Sequence, residues 1–106
     1  RILVIADVHG NLAALEAVLD AAGPVDRVWC LGDVVGYGPR PRECVERIRE
    51  YAGPACVLGN HDAACLGRIP LDGFNPVARY ALRWTTLQLG PQHPASPQRL
   101  PEQFIL

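Results

Sequence analysis

Three short stretches of this 106-residue chain gather groups that bind cations: Asp7-Val8-His9, Gly32-Asp33 and Gly59-Asn60-His61-Asp62. Carboxylate, imidazole and carboxamide donors in one site suit Mn²⁺, Fe, Ni²⁺ or Zn²⁺ better than Ca²⁺, which takes oxygen alone. The candidate ligand set is Asp7, His9, Asp33 and Asn60. In an extended segment residues i and i+2 point the same way, so Asp7 and His9 can face one ion. Gly32 and Gly59 each open a cluster, where a missing side chain lets another group come close. Taken singly, each element is ordinary. An Asp at a strand end commonly caps a helix or turn, Gly59-Asn60 is a common turn dipeptide, and Asn11 reads as a cap. Their conjunction, each cluster directly after an apolar run, is what points to a site.

Those runs are the positioning elements. Ile2 to Ala6 is an unbroken apolar stretch suited to a strand covered on both faces. After the polar turn 7–10, Asn11 caps a helix with Leu12, Leu15, Val18, Leu19 and Ala22 on one face, stopped at Gly23-Pro24. Val28 to Leu31 is a second strand, followed by the loop Gly36-Tyr37-Gly38-Pro39-Arg40-Pro41. That loop either presents Arg40 or Arg42 to a phosphate or is simply solvated. Arg42 to Tyr51 is a second helix, with Val45 and Ile48 inward. Ala55 to Leu58 is a third strand. Strand–helix alternation of this kind predicts a βαβαβ parallel sheet in an α/β fold. In such sheets neighbouring strand ends lie about 4.8 Å apart, and ligands bind beyond their carboxyl ends. Asn75-Pro76 then opens a longer helix marked by Val77, Tyr80, Ala81, Trp84 and Leu87 or Gln88. Trp29, Tyr80 and Trp84 read as packing residues. Residues 91–101 form a Pro-rich loop, and Phe104 to Leu106 looks like the start of a strand. His93, inside that loop, reads as exposed rather than as a ligand.

Composition narrows the partners. Ten basic and eleven acidic residues nearly cancel, so no overall field draws the chain to nucleic acid or an anionic membrane. No apolar run reaches the roughly 20 residues of a membrane helix. No two of Cys30, Cys44, Cys56 and Cys65 stand in a C-x-x-C arrangement; they read as small core residues in a reducing cytoplasm.

The motifs DVHGN, GDVVGYGP and GNHDA, in that order, resemble the calcineurin-like metallophosphoesterase superfamily. The GDVVGYGPRPRECV and FNPVARYALRW stretches are similar to its small bacterial and archaeal phosphodiesterase-type branch. The resemblance covers residues 2 to 90. It implies a four-layered α-β-β-α sandwich holding two divalent ions, most simply Mn²⁺. Asp7 and His9 would bind the first ion, Asp33 would bridge both, and Asn60 would bind the second. His61 would be the general acid or transition-state stabiliser, oriented by a carboxylate such as Asp62. Ions about 3.5–4 Å apart would hold a phosphate ester and activate water.

The family's later motifs, an isolated His and G-H-x-H, are missing here. The chain also starts at Arg1 and contains no Met. The expectation is therefore one metallophosphoesterase domain over 1–106, motif-bearing over 1–90. It would be the N-terminal half of the sandwich, truncated at its C-terminus and inactive on its own if the missing ligands are essential. An uncovered sheet face would favour homo-oligomers. The implied activity is hydrolysis of a small phosphate ester, as phosphodiesterase or phosphatase. The alternative is a non-catalytic interaction module on the same scaffold. A receiver-like phosphoacceptor domain is disfavoured because all ten basic residues are Arg, leaving no Lys for its site.

Overall fold

The computed structural model describes residues 1–89; the expectations for the Pro-rich loop, His93 and the terminal strand lie outside them. Strand β1 (Ile2–Ile5) leads through helix α1 (Leu12–Ala22) to β2 (Arg27–Cys30). The two strands pair in parallel, Ile2 opposite Arg27 through Ile5 opposite Cys30. Helices α2 (Pro41–Tyr51), α3 (Asn60–Cys65) and α4 (Pro76–Leu89) follow, with a short 3₁₀ turn at Leu71–Gly73.

The expected third strand is reduced to one parallel bridge between Cys30 and Cys56. Two hydrogen bonds hold it, Cys30 N–H to the Ala55 carbonyl (2.9 Å) and Val57 N–H to the Cys30 carbonyl (3.1 Å). Gly59 and Asn60 turn the chain into α3 before a longer ladder can form. The βαβαβ order therefore stands, with its last strand shortened to a single rung.

Capping follows the sequence closely. The Asn11 side chain accepts from Ala14 N–H at 3.0 Å and that of Asn75 from Ala78 N–H at 2.8 Å. Each satisfies an amide that the first turn leaves without a partner. Helix α2 starts at Pro41 and buries Pro41, Cys44, Val45 and Ile48. It packs on β2 and α1, and α4 packs on α2 and α3. Arg47 of α2 reaches Glu16 of α1 at 2.8 Å.

All four cysteines are free and buried, as expected. Cys30, Cys44 and Cys56 are fully enclosed, beside Val34, Val35, Val45 and Ile48. Burial pushes the Cys44 thiol up to about 12, because the thiolate would lose its hydration there.

Three packing expectations need correction. β1 is not covered on both faces: Ile2 and Val4 are about half exposed, whereas Ile5 is buried. In α1 only Leu15 is buried, and Val18 faces solvent. Helix α4 is rotated from its expected face. Ala78, Leu82, Thr85 and Leu89 point inward, while Tyr80 is 77% exposed and Val77 and Leu87 are also outside. Thr85 reads as polar, but its hydroxyl donates to the Ala81 carbonyl at 2.8 Å. With that donor satisfied within the helix, the residue can be buried.

Candidate metal centre

The three polar clusters meet beyond the C-terminal ends of the strands. Hydrogen bonding of the sheet continues past the strands themselves. Leu31 N–H donates to the Ile5 carbonyl (2.8 Å) and Asp7 N–H to the Gly32 carbonyl (3.1 Å). His9 N–H then donates to the Asp33 carbonyl (2.9 Å) and Gly10 N–H to the Val34 carbonyl (2.8 Å). The first loop is thus fastened rung by rung to the second.

This arrangement brings a carboxylate oxygen of Asp7, a ring nitrogen of His9 and a carboxylate oxygen of Asp33 within 4.8 Å of one another. The His9 Nε2 lies 3.8 Å from Asp7 Oδ1. His9 Nδ1 lies 3.0 Å from the Val35 carbonyl oxygen. Only a protonated Nδ1 can donate to that carbonyl, so the neutral ring keeps its Nε2 lone pair free. Metal-binding histidines are commonly fixed by such a bond at the far nitrogen. Two carboxylates and one free imidazole nitrogen therefore fit a divalent first-row metal. Asp7 is largely exposed and His9 partly so, which leaves the cluster open to solvent.

The route to convergence differs from the extended geometry expected of Asp7-x-His9. Asp7 has φ +58°, His9 +49° and Asp33 +55°. Among the described residues only one other non-glycine, Tyr37 at +64°, has positive φ. L-residues rarely adopt this region, and such strain gathers at functional sites. A sharp left-handed turn, rather than strand alternation, aims the Asp7 and His9 side chains.

The third cluster is the first turn of α3, which the dipeptide reading took as a turn. Gly59 precedes it, and Asn60 is its first residue, exposed to solvent. His61 N–H donates to Asp33 Oδ1 at 2.9 Å. A side chain at Gly59 would put its Cβ 2.2 Å from that same oxygen. Glycine is required there for space, so that the helix start can close on the carboxylate.

His61 is 8% exposed and sits in a ring of aromatics. Its centroid lies 4.6 Å from His9, 5.1 Å from Tyr37 and 5.0 Å from Phe74. Burial, then the neighbouring His9, hold its pKa below the ordinary histidine value. Its Nδ1 is buried without a hydrogen-bond partner among the described residues. Gly36 makes room for it, because a Cβ there would lie 2.6 Å from that nitrogen. The apposition of Tyr37 and Phe74 to His61 is a tertiary feature that spacing does not encode.

The Asp62 carboxylate does not orient His61, as the resemblance had implied. It is fully buried and accepts from the backbone N–H of Asp33 (2.7 Å), Val35 (3.1 Å) and Gly59 (3.0 Å). Desolvation raises its pKa to about 6, partly offset by those bonds. Arg40 and Arg42 are engaged elsewhere. Arg40 pairs with Glu43 at 3.1 Å, and Arg42 donates to the Gln88 carbonyl at 2.9 Å.

Residues 1–94 match the calcineurin-like phosphoesterase family. The chain belongs to that family. In the crystal structure of a metallophosphoesterase from Sphaerobacter thermophilus the match has 60% identity and a TM-score of 0.80, covering 99% of this chain and 43% of that one. The uncharacterized protein MJ0912 of Methanocaldococcus jannaschii is 48% identical over 86 residues, 79% of this chain and 35% of that protein. A symmetrical bis(5'-nucleosyl)-tetraphosphatase of Psychromonas ingrahamii is 38% identical over 63 residues, 56% of this chain and 23% of that enzyme. The chain therefore spans less than half the length of these relatives. The α/β metallophosphoesterase fold is confirmed by the structural match.

Proposed function

We propose that the protein acts in metal-dependent hydrolysis of a small phosphate ester, as phosphodiesterase or phosphatase. The observation that carries this reading is the meeting of Asp7, His9 and Asp33 within 4.8 Å, beside His61. In this reading Asp7, His9 and Asp33 would hold one ion, and Asp33 and Asn60 would contribute to a second. Any further imidazole ligands of the family pattern would lie in the part of the relatives' length that this chain does not match. When bound, divalent ions supply charge neutralisation of the phosphate and activation of water. Mn²⁺ is the ion best suited to test.

The chain's own residues do the rest. Asp7 and Asp33 must be ionised and His9 neutral to serve as ligands, so activity falls at acid pH. His61, whose pKa burial and the neighbouring His9 hold below the ordinary histidine value, would act as general acid or transition-state stabiliser. A cleft of about 310 Å³ lined by Tyr37, Pro39, Tyr80, Ala81 and Trp84 adjoins the site through the Tyr37 ring, which packs on His9 at 5.3 Å. It offers apolar surface to an organic substituent on the phosphate.

Four buried free thiols suit a reducing cytoplasm, and no helix among the described residues is long and apolar enough to cross a membrane. Exposed Ile2, Val4 and Val18 support apolar association of the open sheet face, by a second copy or by further chain. A non-catalytic module gains no support from strained ligands held in register.

The test is Mn²⁺-dependent hydrolysis of bis-p-nitrophenyl phosphate, by this chain and by one extended through the remaining motifs. Asp33→Asn removes the bridging charge. It is expected to cost well beyond the roughly 10–100-fold typical of losing a residue that merely supports a ligand. Turnover retained in Asp33→Asn would refute the assignment.

A further inference from the structure

We propose that Asp62 is the positioning residue for the Asp33 ligand, setting it through the backbone before any metal arrives; this rests on the metallophosphoesterase reading above. The loop 32–35 is bonded from two sides. The carbonyls of Gly32, Asp33, Val34 and Val35 accept from the first loop, the last of them from the His9 ring. The amides of Asp33 and Val35 point the other way, into the Asp62 carboxylate. That carboxylate also takes Gly59 N–H, tying down the helix start whose next amide but one, His61 N–H, grips Asp33 Oδ1.

Each ligand-bearing loop is thereby joined to the same four-residue segment. Asp62 accepts from two backbone donors of the second loop, Asp33 and Val35, and from one of the third, Gly59. The chemistry suits a carboxylate alone. Three N–H donors converge on two oxygens, and an ionised carboxylate offers only acceptors. In Asp62→Asn one oxygen becomes an NH₂ donor, which would face backbone N–H and repel it. A buried amide left without its acceptor costs the full desolvation of that group. The loop should therefore shift, and the Asp33 carboxylate with it.

The experiment measures hydrogen exchange of the Asp33, Val35 and Gly59 amides by NMR, with Mn²⁺ affinity followed by electron paramagnetic resonance. Wild type, Asp62→Asn and Ile48→Ala are compared. In the wild type without metal, the three amides should be protected well above exposed loop amides. Asp62→Asn should speed exchange of at least one of them and weaken Mn²⁺ binding by about 10–100-fold in the folded protein. Ile48→Ala, which loosens the core without removing any group of the clamp or the ligand set, should leave Mn²⁺ affinity unchanged. If Asp62→Asn does not fold, the wild-type amides decide: exchange as fast as exposed loops overturns the proposal. Unchanged Mn²⁺ affinity in a folded Asp62→Asn also overturns it. A wild type with protected amides that binds no Mn²⁺ would instead sink the metal reading and leave the loop clamp in place.

Discussion

The strand-end loops and the interior behind them are built on opposite terms. Behind β2, the core of Val28, Cys30, Cys44, Val45, Ile48 and Cys56 is apolar and enclosed, and its parts are held by contact. At the loops, position is set by angles and hydrogen bonds: left-handed Asp7, His9 and Asp33, glycines that admit no Cβ, and a buried carboxylate accepting three amides. The core makes the fold stable, and the loops make it specific. A change in volume should therefore weaken the first without touching metal chemistry. A change of a single atom in the second should alter metal chemistry out of proportion to its effect on stability.

The largest stability effect expected is from Ile48→Ala. Ile48 is 1% exposed, and removing such a side chain typically costs about 2–5 kcal/mol through lost burial and a residual cavity. Urea unfolding should show that loss, with Mn²⁺ affinity of the folded protein unaltered; a parallel loss of affinity would erase the division between the two regions.

Gly59→Ala should cost less stability, about 1–3 kcal/mol from overpacking, yet abolish tight Mn²⁺ binding. Its new methyl would sit 2.2 Å from Asp33 Oδ1 and 2.5 Å from Asp33 N. Gly73→Ala, with nothing within 4 Å of its Cβ, is the matched control and should change neither quantity. Tight binding in Gly59→Ala would show that the loop packing is not what sets the ligands.

The smallest effect belongs to the core in alkali. The Cys44 thiol has its pKa raised by burial from 9.0 to about 12. Between these values the unfolded chain releases a proton that the folded one keeps. Rising pH therefore favours unfolding: this contribution is intact below pH 9 and is lost progressively towards pH 12. Urea midpoints should fall from pH 8 to pH 10.5, and fall less in Cys44→Ala when each is referred to its own pH 8 value. A slope identical in both would contradict the assignment.

Much of this division could be read from the sequence, and the unread part has a physical cause. The order of the three polar clusters, the caps at Asn11 and Asn75 and the inward Val45 and Ile48 are local signals, and all appear in the structure. Periodicity misread α4 because Thr85 satisfies its hydroxyl within its own helix while Tyr80 and Val77 face out. It misread Asn60-His61-Asp62 as a turn because Asp62 reaches back to the Gly59 amide, favouring helix. The left-handed angles at Asp7, His9 and Asp33 have no signature in residue type. They follow from hydrogen bonds between loops more than twenty residues apart, and the burial of His61 comes from ring packing against Tyr37, Phe74 and His9.

Anomalous diffraction from crystals grown with Mn²⁺ tests the central claim most directly. The account predicts a manganese peak contacting the carboxylates of Asp7 and Asp33 and the Nε2 of His9, with Nδ1 of that ring still on the Val35 carbonyl. Manganese bound elsewhere, with the Asp7 and Asp33 carboxylates turned away from each other, would contradict it.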